Sequence, residues 1–428
     1  MKVTYLAPGT GGTFYCQNCM RDTALVRALR RHGHDLTMAP VYLPILIDDG
    51  EVTGDVPVFF GGVNVYLQQK MKLFRKTPRW LDKIFDASWM LRMAAQFEGS
   101  TEAAGLGPMT LSMLQGPQGR QRKELDRLLD WLVEHEKPDV VHISNSLLIG
   151  LAGELKRRLD VSVVCTLQDE ENWLDEIDEP YDRMCWDAMS EKSADIDAFV
   201  AVSDWYGREM SSRMKLNGAQ LHVVPLGIEP DPREPVSLDF EAPVIGYLSK
   251  MCESLGLGVL VDAFIELKRL PEFANLKLRA TGGQHGPDTA FVKGLRRKLE
   301  DAGFGGDVEF LEGFDLAQRR EFIRSLTLLS VPAKQGEAFG MYIIESLTEG
   351  VPVVQPRAGG YPEVVEATGG GVLYDPEDPK GLVDALRELL LDPERARKLG
   401  RDGREAVLRD FGVDRMAEGI ARVYETIT

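Results

Sequence analysis

Two glutamates stand where they could do chemistry. Glu337 precedes the turn Ala338-Phe339-Gly340, and Glu345 follows eight positions later on an apolar helical pattern from Met341 to about Glu349. A helix opening at Phe339-Gly340-Met341 presents unpaired backbone N–H groups and the positive end of its dipole. Such an end binds anions, and the bare Gly340 lets a phosphate come close. At about 1.5 Å per residue the two acids are separated by roughly 12 Å, beyond the about 5–5.5 Å between the acids of a retaining glycosidase. Acids spaced around an anion-binding end suit a long ligand with hydroxyls at both ends, such as a nucleotide sugar. From these residues alone, a solvent-facing Glu and a helix cap would read the same way.

The other chemical signals are weaker. The loop Pro8-Gly9-Thr10-Gly11-Gly12-Thr13 follows the first strand, Val3 to Ala7, at the end where open α/β sheets bind ligands. It is not G-x-G-x-x-G, so a plain tight turn remains open. Cys16-Gln17-Asn18-Cys19 at the next helix start would suit a thiol redox site, since a helix N-terminus lowers a thiol pKa. No second C-x-x-C and no H-x3–5-H accompanies it, which argues against metal. Pocket-lining thiols fit as well.

These residues need elements to hold them. A helix from about Met20 to His32, with Leu25, Val26 and Leu29 in one stripe, and a strand around Leu36 to Pro40 complete a β-α-β unit, so the sheet is parallel. Residues 68 to 130 read as an insertion of short helices with Trp80, Trp89 and Met90 to Met93. The alternation then resumes with strands Val140–Ile143, Val161–Leu167, Ala198–Val202 and Leu221–Val224 and helices Leu147–Leu159 and Asp204–Met214. Gly227 to Pro243, rich in proline and acids, reads as a linker. A second alternation runs from strand Val244–Leu248 through helix Leu257–Leu267, strand Leu276–Thr281, helix Asp288–Glu300, strand Val308–Leu311, helix Leu316–Ser325 and strand Leu328–Val331. The glutamate-bearing stretch, a strand Val351 to Gln355 and the turn Gly359-Gly360 ahead of Pro362 come next. After a strand Val372–Tyr374, Asp378-Pro379 predicts an N-cap and a first helical turn, and helices Pro393–Asp410 and Val413–Thr426 close the chain.

Composition sets limits. The 428 residues are enough for two domains, and 44% apolar content fills two cores. A net charge of −17 argues against nucleic acid or an anionic membrane as the general partner. No run approaches the about 18 apolar residues of a membrane span, and the first residues lack the form of a signal peptide. Five cysteines, an odd number, fit a reducing cytoplasm.

Several blocks together resemble one family. They are G-G-D-V-E-F-L-E-G-F, L-L-S-V-P-A-K-Q-G-E-A-F-G-M-Y-I-I-E-S-L-T-E-G-V-P-V-V, G-G-Y-P-E-V-V-E and G-G-G-V-L-Y-D-P-E-D-P. The first half adds R-H-G-H-D, P-D-V-V-H and V-V-P-L-G-I. The chain resembles the retaining glycosyltransferases of family 4 (group 1), strongly from about Gly246 and more loosely before it. The resemblance implies an α/β chain of GT-B fold, two doubly wound Rossmann-like domains facing each other across a cleft. The corresponding division is an N-terminal acceptor-side domain over 1–227, a linker over 228–243, a C-terminal donor-side domain over 244–412, and a helix over 413–428 crossing back to the N-terminal domain.

The resemblance also implies roles. Glu337 matches the acid that faces the donor sugar, and Glu345 the acid that holds the nucleotide ribose. Phe339, Gly340 and Met341 match the diphosphate-binding helix start, and Gly11 and Gly12 the loop that approaches the phosphates. The acceptor-side candidates are Thr13, Cys16, Gln17, Asn18, Arg21 and Ser144. The family transfers with retention by a front-face route, without a protein nucleophile, a metal or a cofactor; its partners here would be a nucleotide sugar and an unidentified acceptor. The chain departs from the pattern in places. The family's diphosphate-binding Arg and Lys are replaced near Gly246 by Tyr247 and Leu255, with Lys250 and Lys334 as the cations near enough to substitute. Gln168 replaces a catalytic-side histidine and Ser144 a second one; Gln168 can hydrogen-bond a sugar hydroxyl but cannot titrate near neutrality. A relative that binds nucleotide or sugar without transfer is the alternative.

Overall fold

The computed structural model describes residues 1–9, 17–42, 56–60, 103–284, 286–313 and 315–428. The chain divides into two compact units.

The first unit comprises Met1–Gly12, Asn18–Pro225 and Met416–Thr428. Its six strands are β1 (Lys2–Ala7), β2 (Asp35–Pro40), β3 (Val140–Ile143), β4 (Ser162–Leu167), β5 (Ala198–Ala201) and β6 (Leu221–Val223), in the order β2-β1-β3-β4-β5-β6 and all parallel. Near-continuous runs such as Val-Val-His-Ile and Ala-Phe-Val-Ala are buried at every residue, as expected of strands covered on both faces by helices. The strand order reverses between β1 and β3, which puts a ligand crevice at their carboxyl ends. The first helix spans Gln17–Arg31, three residues earlier than its apolar stripe predicts. Of the expected 68–130 insertion, residues 68–102 lie outside the described residues; beyond them come the short helices Gly107–Leu114 and Arg122–Trp131.

The chain's last residues belong to this unit. Tyr424 Oη meets His142 Nδ1 at 2.7 Å, Ser162 Oγ donates to the Ile427 carbonyl at 2.8 Å, and a Cβ on Gly419 would come within 2.8 Å of Val224. Thr166 Oγ1 meets the other His142 nitrogen at 2.7 Å, so both ring nitrogens are satisfied by hydroxyls. Burial, with the Arg21 charge acting in the same sense, pushes the imidazole well below its ordinary value. His142 is therefore a neutral clasp for the final helix.

The second unit comprises Thr13–Gln17 and Leu226–Arg415. Its strands are β7 (Val244–Leu248), β8 (Lys277–Thr281), β9 (Val308–Phe310), β10 (Leu328–Leu329), β11 (Val353–Pro356) and β12 (Gly371–Tyr374). They form a second parallel sheet in the order β12-β11-β10-β7-β8-β9. Here the order reverses between β7 and β10, so the loops after Leu248 and Leu329 flank the crevice.

The segment expected as a linker is tied into this unit. Asp231, 3% exposed, pairs with Arg233 and Arg320. Val236 donates its N–H to the Glu349 carbonyl at 2.9 Å, and Ile228 and Gly412 bridge each other's strand-like backbones. One cap prediction needs correcting. The helix after β12 begins at Gly381, with Lys380 at its N-cap, rather than at Asp378-Pro379. Asp378 instead accepts from Lys380 N through its side chain and from Gly381 N through its carbonyl, closing a separate turn before the helix.

Candidate active site

The loop after β10 delivers Glu337 at the second unit's strand reversal. Its carboxylate is 6% exposed and held by two phenols. Tyr361 donates to Oε2 at 3.0 Å, Tyr342 makes a shorter bond to the same oxygen, and the phenol oxygens lie 2.5 Å apart. Tyr342 comes from the helix Met341–Thr348 and Tyr361 from the helix Tyr361–Thr368. The double-glycine turn fixes the backbone beside them. Gly360 donates its N–H to the Glu337 carbonyl at 2.8 Å, and a Cβ on Gly359, at φ +57°, would lie 2.7 Å from that same oxygen.

The helix Met341–Thr348 starts at Gly340, whose φ of +82° is one that residues with a Cβ adopt at a cost of about 1–2 kcal/mol. No side chain of the preceding loop caps it. Gln17, which groups with the second unit, makes the contact instead: its Oε1 accepts from Met341 N at 2.6 Å while its Nε2 donates to Glu337 Oε1 at 2.8 Å. One primary amide thus finds a hydrogen-bond donor and an acceptor side by side. Phe339 turns its ring into the core, 6.1 Å from that of Phe411, so only its backbone is available to a ligand.

Glu345 lies on the second turn of the same helix, 9% exposed, with Arg319 Nε 3.1 Å from its Oε1. The Arg319 side chain is equally enclosed, at 7%. The other donor-side candidates differ from expectation. Gly246 sits inside β7, where a Cβ would come within 2.1 Å of Leu326 Cδ1, so its small size serves packing. Lys250 is 3.2 Å from Asp288 and Lys334 3.0 Å from Glu377, the latter pair well exposed, so each charge is already offset by a carboxylate. Tyr247 is wholly buried and donates to the carbonyls of Lys250 (2.9 Å) and Leu255 (3.3 Å), stitching the loop closed.

In the first unit the structure brings Gln168, Ser144 and Arg21 together. Gln168, 2% exposed after β4, donates from Nε2 to the Ser144 carbonyl at 2.8 Å, and Arg21 Nη2 approaches that carbonyl at 3.4 Å. Arg21 is not an open acceptor contact. It is 3% exposed and ion-paired with Asp22, whose Oδ1 also accepts from Tyr5 at 2.8 Å. Glu170 spans the loops after β3 and β4, accepting from Ser146 N at 2.8 Å and Gln168 N at 2.6 Å, with Tyr206 at 2.7 Å. Burial raises Glu170, and pushes neighbouring Glu171 up to about 8. Asn18 follows Gln17 in the first helix, half-buried. Gly11, Gly12, Thr13 and Cys16 lie outside the described residues; Cys19 is buried.

Sequence reasoning missed Tyr342, Tyr361, Arg319, Glu170 and Tyr206. Their signal was a phenol or charge inside an apolar run, where a buried polar group must find a partner. Among the described residues, no group of three or more His, Cys, Asp or Glu could hold a metal ion, and no helix is long and apolar enough to cross a membrane.

Two parallel six-stranded sheets, each with helices and a strand reversal, define the GT-B class of glycosyltransferase fold. Sucrose-phosphate synthase from Thermosynechococcus elongatus matches with a TM-score of 0.72 at 18% identity, over 99% of this chain and 98% of that one. Anabaena HepE, solved in complex with UDP and glucose, matches at 0.66 and 15%, over the whole of both chains. Residues 231–406 match the family model of the glycosyl transferases group 1, and residues 23–227 match that of a glycosyl transferase 4-like domain. Among its relatives, a D-inositol 3-phosphate glycosyltransferase of Xylanimonas cellulosilytica is 28% identical over 92% of this chain and 97% of its own. A GDP-mannose-dependent alpha-(1-6)-phosphatidylinositol monomannoside mannosyltransferase of Mycolicibacterium smegmatis is 26% identical over 84% and 94%.

Proposed function

We propose that this glycosyltransferase is a retaining enzyme of family 4, working in the cytoplasm without metal or cofactor, that moves a sugar from a nucleotide-diphosphate sugar to a hydroxyl acceptor. The observation that carries the reading is the Glu337–Met341 pair. A carboxylate oxygen and a helix-start N–H stand close enough for one amide, that of Gln17, to bond both. A donor offers the same polarity, with a sugar hydroxyl to give to Glu337 and a phosphate oxygen to accept from Met341, and it would displace the Gln17 amide. Glu345, eight residues on, would take the ribose hydroxyls. Stabilising the departing diphosphate is then the principal catalytic effect, and the diphosphate itself takes the acceptor proton on the face where the new bond forms. In this reading Gln168 takes the part of a hydrogen-bonding group for the sugar.

The acceptor class with support is a polyol phosphate, from the printed activities of the inositol-directed relatives. A second reading, nucleotide binding without transfer, draws on Tyr247 and on the Lys250–Asp288 pair, which leave the diphosphate without two of the family's cations. Removing such groups costs about 2.7–4 kcal/mol each where nothing replaces them. One experiment separates the readings. A melting screen of nucleoside diphosphates is expected to single out one base. The matching sugar nucleotides, incubated with myo-inositol phosphate and simple glycosides, should yield a product whose anomeric proton coupling equals that of the donor. Inversion of that coupling refutes retention, and binding with neither transfer nor donor hydrolysis favours the second reading.

A further inference from the structure

We infer that Tyr342 and Tyr361 are positioning residues for Glu337, fixing which carboxylate oxygen is offered to the donor sugar and holding it as an acceptor. The inference rests on the reading of Glu337 as the sugar-facing acid.

Both phenols are fully buried, and both reach the same oxygen, Oε2. Burial, followed by the charge of Glu337, raises both phenols well above their ordinary value, so each keeps its one hydrogen. The two phenol hydrogens serve three oxygen–oxygen contacts, so with the carboxylate ionised at least one of them is donated to Oε2. That turns Oε2 inward and leaves Oε1 outward, where the Gln17 amide meets it at 2.8 Å.

Tyr361 also shapes the phosphate-facing turn. A Cβ on Gly340 would lie 2.8 Å from its ring, and its helix begins one residue after Gly360, which holds the Glu337 carbonyl. One aromatic residue therefore sets both the carboxylate and the space beside the helix start. The phenols themselves are shielded from the donor. Their effect must pass through Glu337 and fall on the sugar rather than on the nucleotide.

The test measures binding of UDP, GDP, ADP and dTDP, and of their glucose and mannose esters, by calorimetry. The proteins are the wild type, Tyr342→Phe and Tyr361→Phe, with Ile344→Val as a buried control on the same helix. In the wild type, the accepted sugar nucleotide binds more tightly than its bare diphosphate. Each Phe variant is expected to keep the diphosphate affinity and to lose about fivefold of the sugar increment, the weight of one hydrogen bond. In turnover, donor KM rises by about the same factor, while inhibition by the bare diphosphate is unchanged. Ile344→Val keeps both quantities despite its own loss of stability. A sugar increment that survives in both Phe variants, or is absent from the wild type, overturns this inference and leaves the transferase reading standing. A wild type that binds no nucleoside diphosphate removes both.

Discussion

Glu337→Gln is expected to stop sugar transfer as completely as Glu337→Ala, although glutamine is nearly isosteric with glutamate. At least one of the Tyr342 and Tyr361 phenols donates toward the inward oxygen, so a glutamine there keeps that bond by turning its carbonyl to them. Its NH2 then occupies the outward position, where the structure has the accepting Oε1. The site's polarity reverses at the atom assigned to the sugar. A loss of about 10²–10³ in kcat follows, the range measured where one transition-state hydrogen-bonding group is removed. Glu337→Gln should melt close to the wild type because its inward bonds persist. Glu337→Ala leaves buried phenols short of an acceptor, worth about 1–3 kcal/mol, and should melt lower. Steady-state rates and melting curves on both variants check this. A Glu337→Gln enzyme within tenfold of wild type would show that the outward oxygen does not act.

The second large effect lies at Arg319. Its pair with Glu345 is enclosed on both sides, at 7% and 9% exposure, unlike the exposed pairs elsewhere on this chain such as Lys334–Glu377. Exposed pairs contribute about 0–1 kcal/mol. Removing one member of a buried pair costs about 3–5 kcal/mol, since the charge that stays enclosed loses that member's attraction. Arg319→Met is therefore expected to lower the unfolding free energy by about that amount, read by chemical denaturation. Adding Glu345→Gln should recover part of it, because the residual charge is then gone. The same cycle has a binding readout. With Glu345 assigned to the ribose, Arg319→Met should weaken the bare nucleoside diphosphate as well as its sugar ester, in contrast to the Tyr342 and Tyr361 variants. A cost under about 1 kcal/mol would place the pair with the surface bridges.

Local pattern in the sequence carried much of this. The β-α alternation, the two-part division and the Glu337–Glu345 helix all follow from periodicity and glycine placement, and the resemblance tied them to one fold. What escaped was the pairing of distant groups. Tyr361 reaches Glu337 across 24 residues and Arg319 reaches Glu345 across 26. Neither distance has a sequence period, because both depend on how separate elements stack. Lys250 and Lys334 looked available as substitute cations, yet Asp288 and Glu377 stand opposite them. Arg21 carried the charge expected of an acceptor contact, but the adjacent Asp22 and the Tyr5 hydroxyl draw it into the first unit's interior. Asp378 shows the limit of cap rules. It had the right residue type, but it closes its own turn two residues before the helix cap.

The most direct measurement follows the Met341 amide itself. In protein labelled with 15N-methionine, with Met341→Leu identifying its signal among the 15 methionines, the nucleoside diphosphate that stabilises the chain is titrated in. The account predicts that the Met341 amide shifts downfield and saturates at the dissociation constant found by calorimetry, as a phosphate oxygen replaces the Gln17 carbonyl. Saturable binding with that resonance unmoved would contradict it.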